Sequence, residues 1–260
     1  MASVKLQDIK YEKISAASND ACGQDMLVGE IPGAIVSFHT LSKGEKRNFA
    51  GNCDFIRVLF LCQGGATFSG RAGAFSYGER AVYTDMPGED ISVEALDCCG
   101  LLEIKWTVND DDLKELETKK DRFPFTESYR DALQYRDPFK SETTISRAII
   151  VHDFIPRFAM GSVEAKGDDL VGQHAHPLLD QFFFSFPEND ADLLIDCRIF
   201  NLKGDTLVHI PLGSNHGVIA RGEQRMHYIW IDFTPASEKE DAVAYLNEVH
   251  KPTGVKEELK

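Results

Sequence analysis

His174 and His176 stand two residues apart in the run Gly172-Gln173-His174-Ala175-His176-Pro177-Leu178-Leu179-Asp180-Gln181. On an extended segment, residues i and i+2 point to the same face, so both imidazoles can reach one metal ion. Further on, the run Pro211-Leu212-Gly213-Ser214-Asn215-His216 follows strand-like text and offers a third imidazole, His216, forty residues after His176. Three neutral imidazoles plus one oxygen donor suit a divalent transition metal, with Mn, Fe, Ni and Zn all acceptable.

Further polar residues lie on nearby strands. His227 is the candidate acid or base, because histidine titrates near working pH. Arg198 is the candidate clamp for a substrate carboxylate through a bidentate contact.

The elements that must position these residues are short strands. Segments such as Ala34-Ile35-Val36-Ser37-Phe38, Phe55 to Leu61, Leu101 to Trp106, Gln181 to Phe186, Leu193 to Phe200, Thr206 to Ile210 and His227 to Phe233 are rich in β-branched and aromatic residues. Gly, Asn, Asp and Pro punctuate them, which predicts an antiparallel sandwich or barrel. Asn109 to Asp112 predicts a capped helix with Leu113 and Leu116 on its apolar side. A second amphipathic helix is expected over Ser237 to Val249, with Ala242, Val243, Tyr245 and Leu246 apolar and a frayed tail from Lys251.

The two histidine runs resemble the motifs of the cupin superfamily. The first reads His174-x-His176 followed by Asp180 and Gln181; the second reads Gly204-x6-Pro211-x-Gly213-x2-His216. The pattern departs from the family in the spacing of Gly167 and Gly204 and in Ala220, which stands where the family has asparagine. The resemblance implies a fourth ligand at Gln181, which opens the phenylalanine-rich strand where the family ligand sits and shares a face with Phe183 and Ser185, with Asp180 as the alternative. A neutral amide there would leave the ion a higher net charge than a carboxylate, which strengthens Lewis-acid action on a bound oxyanion. The resemblance implies an all-β fold of two cupin-type antiparallel β-barrels in tandem, with short connecting and carboxy-terminal helices. It divides the chain into a degenerate cupin domain (1–106), a partly helical connector (107–140), a metal-binding cupin domain (141–236) and a helix with tail (237–260). The first half has no histidine run, and Arg57 stands where a metal-ligating Glu is expected, so one metal ion is expected, in the second domain. The implied function is a metal-dependent bicupin enzyme acting on a small polar substrate (sugar acid, keto acid or ureide). Its reaction would be of isomerase, lyase or hydrolase type. A non-catalytic small-molecule binder with a structural or vestigial metal site, or a cupin dioxygenase, is the alternative.

Composition narrows the partners. The 28 Lys+Arg against 42 Asp+Glu give a formal net charge of -14, which argues against a nucleic-acid partner because no basic stripe could displace phosphate counterions. No apolar run of membrane-spanning length occurs, and the amino terminus lacks the apolar stretch of a signal peptide, so a cytoplasmic protein without membrane partners is expected. A homodimer is compatible with this composition. None of the six cysteines sits in a CxxC pair, and they read as reduced thiols.

Overall fold

The computed structural model describes residues 9–15, 23–176, 178–239, 241, 244, 245, 248 and 251–254. Its strands pair antiparallel throughout, as the short alternating segments require. No helix among the described residues is long and apolar enough to cross a membrane.

The chain folds as two compact units. One comprises Ile14–Ala132 and Phe154–Pro156; the other comprises Met1–Lys13, Leu133–Asp153 and Arg157–Lys260. They are called here the amino-terminal and carboxy-terminal units.

In the amino-terminal unit, the central strands are Ala34–Leu41, Phe55–Gln63 and Cys99–Thr107, with Cys99–Thr107 paired to both others. Alternation turns Leu41, Leu59, Leu61, Cys99 and Leu101 into a buried cluster shared with Phe68, Ile91 and Val93 from a four-stranded sheet. Burying such side chains is worth roughly 1.5–3 kcal/mol each, the main force closing the two sheets on one another. The helix expected after Asn109 spans Asp110–Thr118. Its cap is a capping box: Asn109 Oδ1 accepts from the backbone of Asp111 and Asp112, and Asp112 Oδ2 accepts from Asn109 N–H.

The carboxy-terminal unit is one 12-stranded antiparallel sheet. Strand Asp180–Ser185 lies between Thr206–Ile210 and Arg225–Phe233, and Arg225–Phe233 also pairs with Phe158–Lys166. Strand Asp169–His174 pairs with His216–Ala220, which pairs onward with Asp190–Ile195. The shared interior holds Val171, Phe183, Val208, Val218, Tyr228 and Trp230. Tyr11–Lys13, far away in sequence, adds a strand to Thr206–Ile210.

The stretch 107–140 contributes to both units. Beyond its helix, Phe125–Ser128 pairs with Ala81–Thr84 in the first unit, and Leu133–Arg136 pairs with Ile145–Ile155 in the sheet of the second. Near the other end, Lys239, Asp241, Ala244, Tyr245 and Glu248 are helical; Ala242, Val243 and Leu246, expected on the apolar side, lie outside the described residues. The expectation of a tail frayed from Lys251 is corrected. Lys251–Pro252 forms a strand against Tyr135 and Arg136, and Thr253 N–H donates to Gln134 O at 3.1 Å, so backbone pairing holds this piece. Cys53, Cys62, Cys98, Cys99 and Cys197 are free thiols; Cys22 lies outside the described residues.

Candidate metal centre

Sheet register brings the histidines together. Val171 faces Val218 across the first strand pair, then the register shifts and His174 comes opposite His216. Alternation along His216–Ala220 puts His216 on the interior face with Val218 and Ala220. His176 follows two residues after the end of its strand, and the turn carrying Gly213 is tied to it, Gly213 N–H donating to His176 O at 3.1 Å. Gly213 has φ +75°, a conformation open to glycine at little cost.

One nitrogen from each of the three rings lies within 4.8 Å of the others. Two rings are oriented alike. His174 Nδ1–H donates to Gly172 O at 2.8 Å, and His216 Nδ1–H donates to Ser214 O at 3.1 Å. With Nδ1 protonated, each Nε2 carries the free lone pair a metal needs. Burial pushes the His216 pKa down to about 4 and lowers that of His174, a shift that the bond to Gly172 O opposes. Both rings are therefore neutral at pH 7, the ligating form.

Gln181 completes the set. It sits directly across from Asp232 in the register, and its Nε2 donates to Asp232 Oδ1 at 2.5 Å. The amide is 4% exposed, and its Oε1 has no hydrogen-bond partner among the described residues. A buried amide oxygen without a partner costs about 1–3 kcal/mol unless something binds it. Gln181 lines the same cavity as the three histidines. Three imidazoles and an unpartnered amide oxygen fit a divalent transition metal.

Asp180, the other candidate donor, points elsewhere. Its Oδ1 accepts from His209 Nε2 at 3.0 Å and from Leu212 N–H at 2.8 Å, outside the cavity lining.

The cavity encloses about 490 Å³ of empty space, solvent at its mouth included. Its apolar wall includes Val163, Val171, Phe183, Val218 and Trp230, while Tyr135, Asp137, Lys140 and Asp232 add polar groups. These four escaped the sequence reading. Asp232 had a signal: it shares strand parity with Tyr228 and Trp230, both interior. Burial raises its carboxyl pKa to about 7, against the bond from Gln181, which lowers it. Tyr135, Asp137 and Lys140 lie in a polar stretch without strand periodicity and gave no signal.

The structure does not bring His227 or Arg198 to this cavity. His227 alternates with Met226 and Tyr228, so it faces away from the interior they fill. Its ring packs on Phe186 at 4.7 Å, with Nδ1 2.7 Å from Glu188 Oε1. Arg198 opens its strand immediately after the turn at Asp196 and Cys197, whose φ values are +44° and +67°, and it too is outside the lining.

No family model and no curated protein matches this chain. Solved structures do. The cupin 2 conserved barrel domain protein from Leptotrichia buccalis is similar with a TM-score of 0.60 at 15% identity, over 90% of this chain and 100% of that one. The oxalate decarboxylase of Lactobacillus farciminis, in a formate complex, gives 0.62 at 14% identity, over 89% and 83%. The oxalate decarboxylase of Bacillus subtilis, described with Mn(II) centres, gives 0.59 at 13%, over 78% and 69%. At such identities the likeness is one of fold: a cupin-type antiparallel β-barrel architecture.

Proposed function

We propose that this cupin-type protein is a bicupin enzyme with one divalent metal ion in its carboxy-terminal unit. Its substrate is a small polar molecule (a sugar acid, keto acid or ureide), and its reaction is of isomerase, lyase or hydrolase type. The observation that carries the reading is the convergence of His174, His176 and His216 on a cavity into which Asp232 turns the free oxygen of Gln181. Mn, Fe, Ni or Zn bound there would polarise a substrate oxygen as a Lewis acid. The oxalate decarboxylases of the same fold, one with Mn(II) centres, support a metal and a small acid without fixing either.

The residues of the chain divide the remaining work. The backbone carbonyls of Gly172 and Ser214 hold two rings in the tautomer that ligates. Asp232 fixes the Gln181 amide. The valine and aromatic wall excludes water from whatever binds, which strengthens every polar contact inside. The opening to solvent supports a catalytic over a structural metal, since structural sites are closed by four protein ligands.

Elemental analysis of protein purified without added metal tests this reading. About one ion per chain is expected for the wild type, with none in His174→Ala and weakened retention in Gln181→Ala. Wild-type protein that stays metal-free after incubation with Mn, Fe, Ni and Zn would sink the enzyme reading.

A further inference from the structure

Lys140 is carried to the histidine end of the cavity by backbone and ring contacts. It forms an isolated bridge with Val171, and Gly172 N–H donates to Phe139 O at 2.6 Å. The Phe139 ring stacks on His174, with centroids 4.4 Å apart and planes 9° from parallel. The Lys140 side chain is 7% exposed and lines the cavity.

An ammonium buried so far needs partners, and Lys140 has two. It donates to Tyr135 Oη at 2.8 Å and lies 2.8 Å from Asp137 Oδ2. Burial works against its charge, but Tyr135 and Asp137 outweigh burial and hold its pKa above the usual lysine value. A lysine ammonium has three N–H groups. The third has no partner among the described residues, so a donor with a full positive charge is left unspent in the cavity wall.

The remainder of the lining does not fully neutralise an added divalent cation. As metal ligands the three histidines and Gln181 are uncharged, Asp137 is already matched by Lys140, and Asp232, the other carboxylate of the lining, supplies at most one negative charge against the ion's two. A small molecule with an anionic group complements such a cavity, and a neutral one does not.

We propose that the cavity takes a small carboxylate, and that Lys140 is its positioning residue. Its free N–H donates to one carboxylate oxygen, while another oxygen of the same molecule faces the histidines. The inference rests on the reading of this cavity as the substrate site and narrows that reading to acids, setting ureides aside.

Calorimetric titration of the full chain with malonate, and with malonamide as the neutral control, tests it. The protein is used as purified and again after dialysis against a chelator. Lys140→Met should weaken malonate binding about tenfold or more, as loss of a charge-assisted hydrogen bond does. Malonamide binding and metal per chain should not change, and Lys140→Arg should restore most of the malonate affinity. Asp137→Asn keeps the lysine and removes its competing carboxylate; it should tighten malonate binding several-fold, which covers the case of a misfolded Lys140→Met. Equal malonate affinity in Lys140→Met and wild type overturns the proposal. So does a wild type that binds no malonate up to about 10 mM, or an Asp137→Asn variant that binds it no better. A metal-free wild type whose malonate binding depends on Lys140 defeats the metal-enzyme reading alone. A metal-loaded one whose binding ignores Lys140 defeats only the present inference.

Discussion

The interiors of the two units solve one problem in opposite ways. In the amino-terminal unit, alternation places Arg57, Glu103 and His39 on the face shared with Leu59, Leu61, Leu101 and Leu41. There Glu103 accepts from Arg57 Nε at 2.7 Å and lies 2.9 Å from His39 Nε2, and Arg47 Nη1 lies 2.9 Å from His39 Nδ1. Arg57 also packs near the Phe49 and Phe55 rings and donates to Ala50 O. Burial alone would raise the Glu103 pKa, yet His39, Lys105 and Arg57 together hold it below the usual value. In the carboxy-terminal unit, the corresponding interior offers three imidazoles and an amide oxygen without a hydrogen-bond partner among the described residues. The first interior has its cation built into the chain. The second sets imidazole nitrogens and an amide oxygen around a cavity open to solvent.

The largest expected effect tests the built-in cation. Glu103→Gln leaves the buried Arg57 guanidinium without its carboxylate and should cost about 3–5 kcal/mol in urea unfolding. Chelator should leave that difference untouched. A loss below about 1 kcal/mol would show that Arg57 is held by its carbonyl and ring contacts instead.

Acid should separate the units. Burial pushes the His152 pKa to about 4 in the carboxy-terminal unit, where its ring stacks on Trp230 at 5.9 Å. Its folded pKa thus lies below its unfolded value of 6.5. As pH falls below about 6.5, the unfolded chain takes the proton and the folded one does not. Stability is therefore complete above that pH and declines toward pH 4, by an amount on the order of 2–3 kcal/mol. Glu103 has a depressed folded pKa, so its contribution is present above the unfolded value of 4.5 and is lost only as pH falls further. Denaturant titrations across pH should show loss starting near pH 6.5 in the wild type. In His152→Phe the loss between pH 6.5 and 4 should shrink by about that amount, and the share due to His216 and His174, which burial also lowers, should remain. An unchanged profile in that variant would contradict the assignment.

The smallest effect sharpens the second interior. Asp232→Leu frees the Gln181 amide to rotate, and metal affinity should fall about 10- to 100-fold, the usual penalty for losing an outer-shell partner. Asp232→Asn can still accept from Gln181 Nε2 and should retain most of the affinity. A competition assay against a chromogenic chelator would read both.

Much of this was legible before folding was considered. The all-β architecture follows from short alternating segments between turn residues. His174 and His176 follow from the i, i+2 spacing, His216 from the run after a later strand, and Gln181 from the resemblance to the cupin motif. Arg57 stood out as the residue occupying the place of an expected carboxylate. The misplacement of His227 was avoidable, because Tyr228 and Trp230 are the large aromatics of that strand and His227 has the opposite parity. Arg198 could not be judged so simply, since its position depends on where a hairpin ends.

What the sequence by itself determined is local: which residues alternate, where turns fall, and which donors share a strand face. These depend on backbone geometry over a few residues, where period 2 leaves little freedom. The tertiary structure alone decided that strand Leu133–Arg136 and the turn after it, within the carboxy-terminal unit, bring Tyr135, Asp137 and Lys140 into the cavity wall. It alone decided that Glu103 reaches Arg57 across 46 positions, that Asp232 aims the amide of Gln181 from 51 positions away, and that a register shift sets His174 against His216. A lysine in a polar stretch reads as solvated until sheet closure removes the water around it. Desolvation belongs to the assembled surface and has no period along the chain.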